Sequence, residues 1–382
     1  MKFPQNLQAK LDVRQQSNAL RSLAAPNFLV DFSSNDYLGF AKSESIFNQT
    51  HQFLVDNKIK INGATGSRLL SGNHLVYADT ENFIANFHQT EAALIFNSGY
   101  DANIGFFGSV PQRNDLILFD ELAHASIRDG ILISKAKSYK FNHNDFEDLE
   151  HLIVKFQKSF TEIYIVTESV FSMDGDAPNL SELVDLSNKY SCNLVIDEAH
   201  AVGVFGEKGE GLVQQLQLQD AVFARIMTFG KGLGCHGAAI LGSNNLKNYL
   251  INFARSFIYT TGLSPHAVTT IYVAYQELEK KPINLIQLRC NINFFNQQKQ
   301  LLGLKPIFVR SKSAIQSAIF PGNENVKKVA SAIQNQGFDV KAILSPTVPE
   351  GQERLRICLH NYNSEKEISD VLNLLSTFVF ST

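Results

Sequence analysis

One lysine lies in a glycine-rich turn that directly follows a run of strand-forming residues. The run covers residues 224–228, and the chain then reads Phe-Gly-Lys231-Gly, with Gly234 and Gly237 soon after. Glycines free the backbone to turn and leave open space beside a planar ligand. A lysine at such a strand end can form a Schiff base with an aldehyde cofactor, provided that its amine is partly desolvated. The alternative is a solvated lysine in an ordinary glycine-rich hairpin.

The segment Asp197-Glu-Ala-His200 follows another predicted strand and permits three interpretations. It spells a helicase signature, but no G-x-x-x-x-G-K-[ST] phosphate loop precedes it in the sequence. Asp197 and His200 could ligate a metal, but no third ligand has a suitable spacing, so no metal site is predicted. A carboxylate at a buried strand end can instead keep a pyridinium nitrogen protonated, which makes the ring an electron sink. Because Asp197 and Lys231 end successive strands, they could face one ligand from two directions, and this pairing favours the cofactor interpretation.

Further polar side chains follow other predicted strands. In an open α/β sheet, ligands bind beyond the carboxyl ends of the strands. Gly99 and Tyr100 open a helix whose free amides and dipole could bind a phosphate, although a Ser-Gly pair is also an ordinary helix cap. His124 is either an imidazole at the same edge of the sheet or a packed or capping residue. Ser172 lies in a polar turn after a further strand.

Apolar runs of strand length alternate with helical stretches in the middle of the chain. Segments long enough for crossover helices, such as residues 145–158 and 180–190, separate many of them. This alternation predicts an α/β fold with a mostly parallel central sheet covered by helices. The strands are predicted at residues 92–96, 116–119, 138–141, 162–167, 193–197, 224–228 and 238–242.

The two ends of the chain have a different pattern. Residues 5–23 predict an amphipathic helix that Pro26 ends, and residues 28–32 predict a strand. The carboxyl-terminal region predicts a small α+β domain, with elements at residues 314–320, 324–336, 338–344 and 354–359.

The composition is that of a globular protein. With 382 residues, 44% of them hydrophobic, the chain can bury a large core in two or three domains. Its formal net charge of -3 supplies no strong field for nucleic acid, and its four scattered cysteines argue against a disulfide framework. The first residues do not form a signal peptide and no apolar run could span a bilayer, so a cytoplasmic protein without a membrane partner is expected. The expected domains are an N-terminal helix and strand segment (1–42), a large α/β domain (43–275) and a small α+β domain (276–382).

Several motifs, in the same order along nearly the whole chain, resemble those of the α-oxoamine synthases. These are fold-type-I enzymes that depend on pyridoxal 5'-phosphate (PLP). Several such blocks in the right order are far more specific than any one motif. The matching blocks are residues 32–39, 66–73, 97–103, 124–126, 166–176, 197–200, 228–231 and 346–356.

The resemblance assigns roles to individual residues. Lys231 matches the Schiff-base lysine, Asp197 the partner of the pyridine nitrogen, and His124 the histidine stacked on the cofactor ring, with His200 near the phenolic oxygen of that ring. Arg356 matches the arginine that binds the carboxylate of the amino acid, although Arg354 lies on the same face of the predicted strand. Other matches contact cofactor or phosphate (Gly99, Tyr100, Ser172, Thr228, Thr260 and Thr261) or line the substrate pocket (Arg21, Asn35 and Thr347).

The reaction implied by the resemblance is a decarboxylating condensation of an amino acid with an acyl thioester. The matching motifs imply L-alanine and a pimeloyl thioester, carried by coenzyme A or by a carrier protein. They also imply a homodimer in which Thr260 and Thr261 reach the phosphate of the second subunit. A sister activity, such as joining glycine to acetyl-CoA, and a non-catalytic protein with the same fold are the alternatives.

The sequence departs from the family pattern at two places. The segment between Arg21 and Phe32 is short, which affects the placement of Arg21. Tyr77 stands where the family commonly has a histidine, either as a surface change on a helix or as an altered wall of the pocket.

Overall fold

The computed structural model describes residues 3–23, 28–280 and 282–380. The chain forms two compact units: residues 1–34, 173–176 and 287–382 make up the first, and residues 35–172 and 177–286 the second. The predicted boundaries after residues 42 and 275 divide the sequence into three segments. These boundaries stay a prediction; contacts within the chain group the amino-terminal residues with the carboxyl-terminal region.

The strands of the described residues fall into three sheets. Four predicted strands, at residues 92–96, 193–197, 224–228 and 238–242, have the observed bounds, and the others in the large sheet differ by one residue at one end or at both. In chain order the strands are β1 Val30–Asp31, β2 Ala92–Phe96, β3 Leu116–Asp120, β4 Lys137–Phe141, β5 Ile163–Glu168, β6 Asn193–Asp197, β7 Ala224–Thr228, β8 Ala238–Gly242, β9 Ile315–Ile319, β10 Phe338–Asp339, β11 Lys341–Ile343 and β12 Arg354–Cys358.

Helices connect most of these strands. Side-chain caps begin several of them: Ser98, Asp145 and Asn179 each accept a hydrogen bond from the backbone three residues later. The α-helices are α1 Gln5–Gln16, α2 Glu44–Asp56, α3 Val76–Phe87, α4 Gly99–Phe107, α5 Ala125–Ile133, α6 Phe146–Phe156, α7 Leu180–Lys189, α8 Leu212–Gln215, α9 Asn244–Phe253, α10 Arg255–Ile258, α11 Pro265–Lys280, α12 Ile283–Leu301, α13 Asn323–Asn335 and α14 Glu365–Phe380.

The second unit contains a seven-stranded sheet with the order β2-β8-β7-β6-β5-β3-β4. Strands β3 to β7 pair in parallel, and β8 pairs antiparallel with both β7 and β2. The prediction of a mostly parallel sheet is therefore confirmed. Because β6 and β7 are neighbours and parallel, the polar residues after them meet at one edge of the sheet.

Both faces of this sheet are buried. Along β6, Leu194 and Ile196 belong to one apolar cluster and Val195 to the other, as the two-residue period of a strand requires. Helices α4, α5 and α9 contribute to the cluster with Val195, and α6, α7 and α8 to the opposite one. Helices on both faces explain why these strands are continuously apolar.

The first unit contains two small sheets. Strands β1 and β10 pair in parallel, while β11, β12 and β9 form an antiparallel sheet in that order. The strand predicted at residues 338–344 was wrong as a single element, because its two halves, β10 and β11, belong to different sheets.

The amino-terminal helix is shorter than predicted. Helix α1 ends at Gln16 rather than residue 23, and Asn18 has a left-handed backbone with φ 54°, which stops helical propagation. The role predicted for Pro26 lies outside the described residues. No helix within residues 3–23, 28–280 and 282–380 is long and apolar enough to cross a membrane.

Candidate active site

The amine of Lys231 is the first member of a chain of hydrogen bonds in the second unit. Lys231 follows β7 in a half-buried turn, and its Nζ lies 2.7 Å from Nε2 of the buried His200. His200 Nδ1 lies 2.7 Å from the hydroxyl of Tyr37, which donates to Asn35 Oδ1 at 3.2 Å. The structure thus brings together Lys231, His200 and Asn35, which the sequence had only placed in separate motifs.

The order of donors in this chain fixes the tautomer of His200. An ammonium group has only donors, so with Lys231 protonated His200 Nε2 must accept. Nδ1 then carries the proton and donates to the Tyr37 oxygen, whose own hydrogen goes to Asn35. His200 can therefore hold the lysine amine in one orientation and accept a hydrogen bond from it.

Asp197 ends β6 beside the Lys231 turn and is almost completely buried. Its Oδ1 accepts from the backbone N–H of Ala199 at 2.9 Å, and its Oδ2 accepts from Asn103 Nδ2 at 3.0 Å. These donors stabilise a charged carboxylate away from water. A buried carboxylate held in this way can bind a protonated ring nitrogen.

A buried ion pair fixes the turn that follows Asp197. Arg225 in β7 donates from Nε and Nη2 to Glu198 Oε2 at 2.9 and 2.7 Å. Glu198 Oε1 also accepts from the backbone N–H of Leu212 and of Val213. With both carboxylate oxygens occupied, the backbone between Asp197 and His200 is tied to the neighbouring strand.

His124 caps helix α5 and also lies close to Lys231 and Asp197. Its Nδ1 accepts from the backbone N–H of Ser126 at 3.2 Å and contacts the Ser126 hydroxyl at 2.8 Å. Part of the side chain is exposed. Desolvation by the surrounding protein, with the charge of Lys231, lowers the pKa of His124, while Asp197 acts in the opposite direction. A neutral imidazole is therefore favoured here.

Glu168 lies behind His124 at the end of β5. It is the register partner of Asp197, and its Oε1 accepts from the backbone N–H of His124 at 2.6 Å. Complete burial, reinforced by the charge of Asp197, raises the pKa of Glu168 well above its usual value. A protonated Glu168 can hold the His124 backbone without adding a second negative charge beside Asp197.

The start of helix α4 forms a candidate phosphate site with the end of β7. A Cβ atom at Gly99 would overlap the Thr228 hydroxyl, so only glycine allows the helix terminus to approach Thr228 this closely. Free backbone amides and a hydroxyl therefore lie together at the positive end of the α4 dipole. The side chain of Tyr100 is exposed, and its hydroxyl donates to Asp129 at 2.8 Å.

Thr260 and Thr261 lie beside the residues that precede α4 in the same chain. Asn97 Nδ2 donates to Thr260 Oγ1 at 2.9 Å and to the Thr261 carbonyl at 2.8 Å. Tyr77 is buried and contacts the backbone of the adjoining Leu263. It is therefore not an exposed surface change. The predicted reach of the threonines to a second subunit stays a prediction.

The remaining substrate candidates belong to several places in the fold. Ser172 is half-buried in the turn after β5. In the first unit, Arg21 Nη2 donates to Thr347 Oγ1 at 3.1 Å, and both side chains are exposed. Arg354 and Arg356 are both buried in β12. Arg354 forms an ion pair with Asp174, whereas Arg356 Nη1 donates to Cys358 Sγ at 2.9 Å.

The residues of the second unit fit PLP. The glycine cradle at Gly99 suits a phosphate, the buried Asp197 suits a protonated pyridine nitrogen, and the Lys231 amine suits an aldehyde carbon. Asn103 supports the same assignment, because it donates a hydrogen bond to Asp197. It does so while its own Oδ1 is buried without a hydrogen-bond partner in the described chain.

Sequence reasoning had assigned no role to four side chains that support the site. Tyr37, Asn103, Ser126 and Glu168 all lie inside the matching motif blocks, which was the available signal. Their contacts depend on side chains far away in the chain, such as Asn103 with Asp197, 94 residues apart.

Comparison with known proteins shows the family of the chain. The family described as aminotransferase class I and II matches residues 28–373. The 8-amino-7-oxononanoate synthase of Emericella nidulans is 38% identical over 376 residues, which cover 93% of this chain and 90% of that protein. The enzyme of the same name from Chlorobaculum parvum is 36% identical over 338 residues, which cover 87% and 84%.

Solved structures have the same fold. A serine palmitoyltransferase from S. paucimobilis superposes with a TM-score of 0.89 at 23% identity, covering 98% of this chain and 97% of that one. An 8-amino-7-oxononanoate synthase from Francisella tularensis superposes with a TM-score of 0.78 at 26% identity, covering 92% and 98%.

Proposed function

Since the chain belongs to the aminotransferase class I and II family, and within it to the PLP-dependent α-oxoamine synthases, we propose that it condenses L-alanine with a pimeloyl thioester. The products are 8-amino-7-oxononanoate, CO₂ and the free thiol carrier. The observation that carries the proposal is the name shared by relatives at 36–38% identity over most of the chain. The arrangement of Lys231, Asp197 and His124 within one unit supports catalysis of this type.

PLP, when bound, supplies the electron sink that allows a proton to leave the α-carbon of the amino acid. Lys231 is the base that takes this proton on Nζ, and His200 Nε2 holds the amine in position at 2.7 Å. Asp197 would hold the ring nitrogen in its charged form, because its carboxylate is buried and bound by two N–H donors. The amides at Gly99 and the Thr228 hydroxyl would hold the phosphate.

Recognition of the amino acid carboxylate is assigned to Arg356. Both arginines of β12 are buried, and Arg354 forms an ion pair with Asp174; the family pattern assigns the amino acid carboxylate to Arg356. A bidentate guanidinium contact fixes the direction of a carboxylate, which matters when a neighbouring bond must be oriented for reaction.

We assign Arg21, Asn35 and Thr347 to the substrate pocket and Ser172 to the cofactor, as the family pattern implies. A cytoplasmic homodimer is part of the same proposal.

The test is a matrix of amino acids against acyl thioesters with the purified protein. L-Alanine, glycine and L-serine are combined with pimeloyl, acetyl and palmitoyl groups, each on coenzyme A and on a carrier protein, and products are identified by mass spectrometry. We expect the highest kcat/KM for alanine with a pimeloyl donor. The single methyl that separates alanine from glycine should change kcat/KM by roughly 10–200-fold.

Two results would decide against the proposal. A higher kcat/KM for glycine with acetyl-CoA would identify a sister α-oxoamine synthase instead. No turnover with any pair, in protein that binds PLP, would favour a non-catalytic member of the family. The Lys231→Ala variant is the control, because it removes the proposed base and should produce no condensation product in any combination.

A further inference from the structure

A single buried amide joins Asp197 to the group that orients His124. Asn103 lies in helix α4 and is almost completely buried. Its Nδ2 donates to Asp197 Oδ2 at 3.0 Å and also to Ser126 Oγ at 3.0 Å. Ser126 Oγ in turn lies 2.8 Å from His124 Nδ1. The path from Asp197 to His124 therefore contains only Asn103 and Ser126.

The orientation of the Asn103 amide follows from its neighbours. Rotation of the amide by 180° would point its oxygen at the Asp197 carboxylate, where two acceptors would repel each other. The observed orientation leaves Oδ1 buried without a hydrogen-bond partner in the described residues. An unpaired buried acceptor costs stability, so stability alone does not explain this arrangement.

The direction of the remaining hydrogen bonds is then determined. Since Ser126 Oγ accepts from Asn103, its own hydrogen is available for His124 Nδ1. The backbone N–H of Ser126 points at the same nitrogen at 3.2 Å. Two donors directed at Nδ1 require that nitrogen to be unprotonated, so the proton of a neutral His124 resides on Nε2.

We propose that Asn103 is a positioning residue that sets the Asp197 carboxylate and the Nε2–H tautomer of His124 at the same time. This proposal rests on the proposed function for the roles of Asp197 and His124 at the cofactor. One amide would thus hold both the carboxylate that faces the ring nitrogen and the tautomer of the imidazole that stacks on the ring. Both are needed in one geometry, which a shared tether provides.

The tautomer can be measured directly by ¹⁵N NMR of the purified holoenzyme labelled at histidine. The chain has ten histidines, and the His124 signals are identified by their loss in His124→Gln. We expect wild-type His124 to show a protonated Nε2 and an unprotonated Nδ1. Asn103→Ala frees the Ser126 hydroxyl to turn and leaves the Ser126 backbone N–H to direct the tautomer alone, so the Nδ1-protonated form should become detectable beside the Nε2-protonated form. PLP affinity should also fall about tenfold, because a charge-assisted hydrogen bond to Asp197 is lost.

Asn103→Asp provides the opposite test with nearly unchanged shape. The introduced carboxyl replaces the donor that lies 3.0 Å from Asp197 Oδ2, so this carboxyl pair should retain one proton. Its oxygen accepts from Ser126 Oγ instead of donating to it, so the serine oxygen becomes an acceptor for His124. The His124 signals should shift toward a protonated Nδ1. The matched control is Asn291→Asp, because Asn291 is equally buried but donates to the carbonyls of His360 and Asn363. Its His124 signals should stay as in the wild type.

Ser126→Ala distinguishes an effect that passes from Asn103 through Ser126 to His124 from general damage to the fold. In this background Asn103→Ala should have no further effect on the His124 signals, although it should still weaken PLP binding through Asp197. Wild-type His124 signals in folded Asn103→Ala and Asn103→Asp protein would overturn the proposal. These signals report the tautomer whichever substrates the enzyme uses, so a negative result here is distinct from failure of the substrate matrix.

Discussion

The hydroxyl of Tyr77 holds both backbone groups of Leu263. It accepts from Leu263 N at 2.7 Å and donates to the Leu263 carbonyl at 3.3 Å. The guanidinium of Arg68 lies over the Tyr77 ring, 3.7 Å from its centroid. Burial raises the pKa of Tyr77 to about 12, so the phenol keeps its hydrogen at neutral pH. The tyrosine at this family-divergent position therefore anchors the segment that carries Thr260 and Thr261.

Tyr77→Phe should loosen this segment while keeping the ring and its contact with Arg68. Loss of two hydrogen bonds should lower the free energy of unfolding by about 1–2 kcal/mol and weaken PLP binding severalfold, measured by denaturant unfolding and by cofactor titration. Tyr249→Phe is the control, because the Tyr249 hydroxyl also makes two hydrogen bonds, to Ser109 and Gln112. A comparable loss of PLP affinity in that control would contradict a specific role for Tyr77.

The large sheet was predictable because its signals are local. Strand-length apolar runs and the turns between them placed Asp197 and Lys231 at the ends of successive strands, and β6 and β7 are indeed parallel neighbours. Helix α1 was less predictable. Its apolar residues continue in sequence beyond Gln16, but the left-handed backbone at Asn18 is not encoded in that periodicity.

The partners that orient the catalytic candidates could not be deduced from spacing. Tyr37 meets His200 across 163 residues, and Glu168 meets the His124 backbone across 44. A buried tyrosine or glutamate in a motif is compatible with many partners. Only the packing of the strands and helices selects one partner for each side chain. The sequence therefore showed Tyr37 and Glu168 as members of motifs, without a role for either.

Lys231 should be the lysine that carries the cofactor. Borohydride treatment of the holoenzyme should attach PLP covalently to a peptide that contains Lys231, as identified by mass spectrometry. Lys231→Ala should still bind PLP through the phosphate site but lose turnover by roughly 10³-fold or more, because nucleophile and base are removed together. The control is Lys247→Ala in the same unit, where the amine pairs with Glu81. Labelling of a different lysine would rule out the assignment.

Arg356 and Arg354 should differ in what their loss affects. Arg356→Ala should raise KM for the amino acid by about tenfold or more, because a charge-assisted contact with its carboxylate is removed. Arg354→Ala should instead lower stability by about 3 kcal/mol, since the buried Asp174 loses its cation. Steady-state kinetics and denaturant unfolding of both variants provide the comparison. The reverse pattern, with KM changed only in Arg354→Ala, would exchange the two roles.

Glu168 should make the stability of the protein depend on pH. Its pKa in the unfolded chain is near the ordinary 4.5, while burial and the charge of Asp197 raise the pKa in the folded state well above that. Above pH 4.5 the folded state therefore binds more protons than the unfolded state, and stability falls as pH rises. Glu168→Gln removes this loss and should stabilise the protein more at pH 8 than at pH 5.

Denaturant unfolding at both pH values measures the difference between variant and wild type. Glu147→Gln is the control, because Glu147 is exposed on helix α6 and water solvates it in both states. Its difference from the wild type should be the same at both pH values. An equal effect of Glu168→Gln at pH 5 and pH 8 would show that the folded state does not retain this proton.

The last prediction is that Thr260 and Thr261 complete the active site of a second subunit. Their hydroxyls match the family segment that reaches across to the neighbouring phosphate. In this chain they adjoin Asn97, two residues before the candidate phosphate site at Gly99. A two-fold contact at this place would build both sites of a dimer at once. The competing explanation is that both threonines act only within their own chain, where they accept hydrogen bonds from Asn97.

Subunit mixing separates these explanations. One inactive variant, Lys231→Ala, keeps both threonines, and another, with Thr260→Ala and Thr261→Ala, keeps the lysine. If sites are shared, each mixed dimer contains one intact site, and random exchange should restore about one quarter of wild-type activity. Mixing Lys231→Ala with Asp197→Asn is the control and should restore nothing, because both residues belong to the same unit of one chain. Mixed dimers that form but stay inactive would show that the threonines act within their own chain.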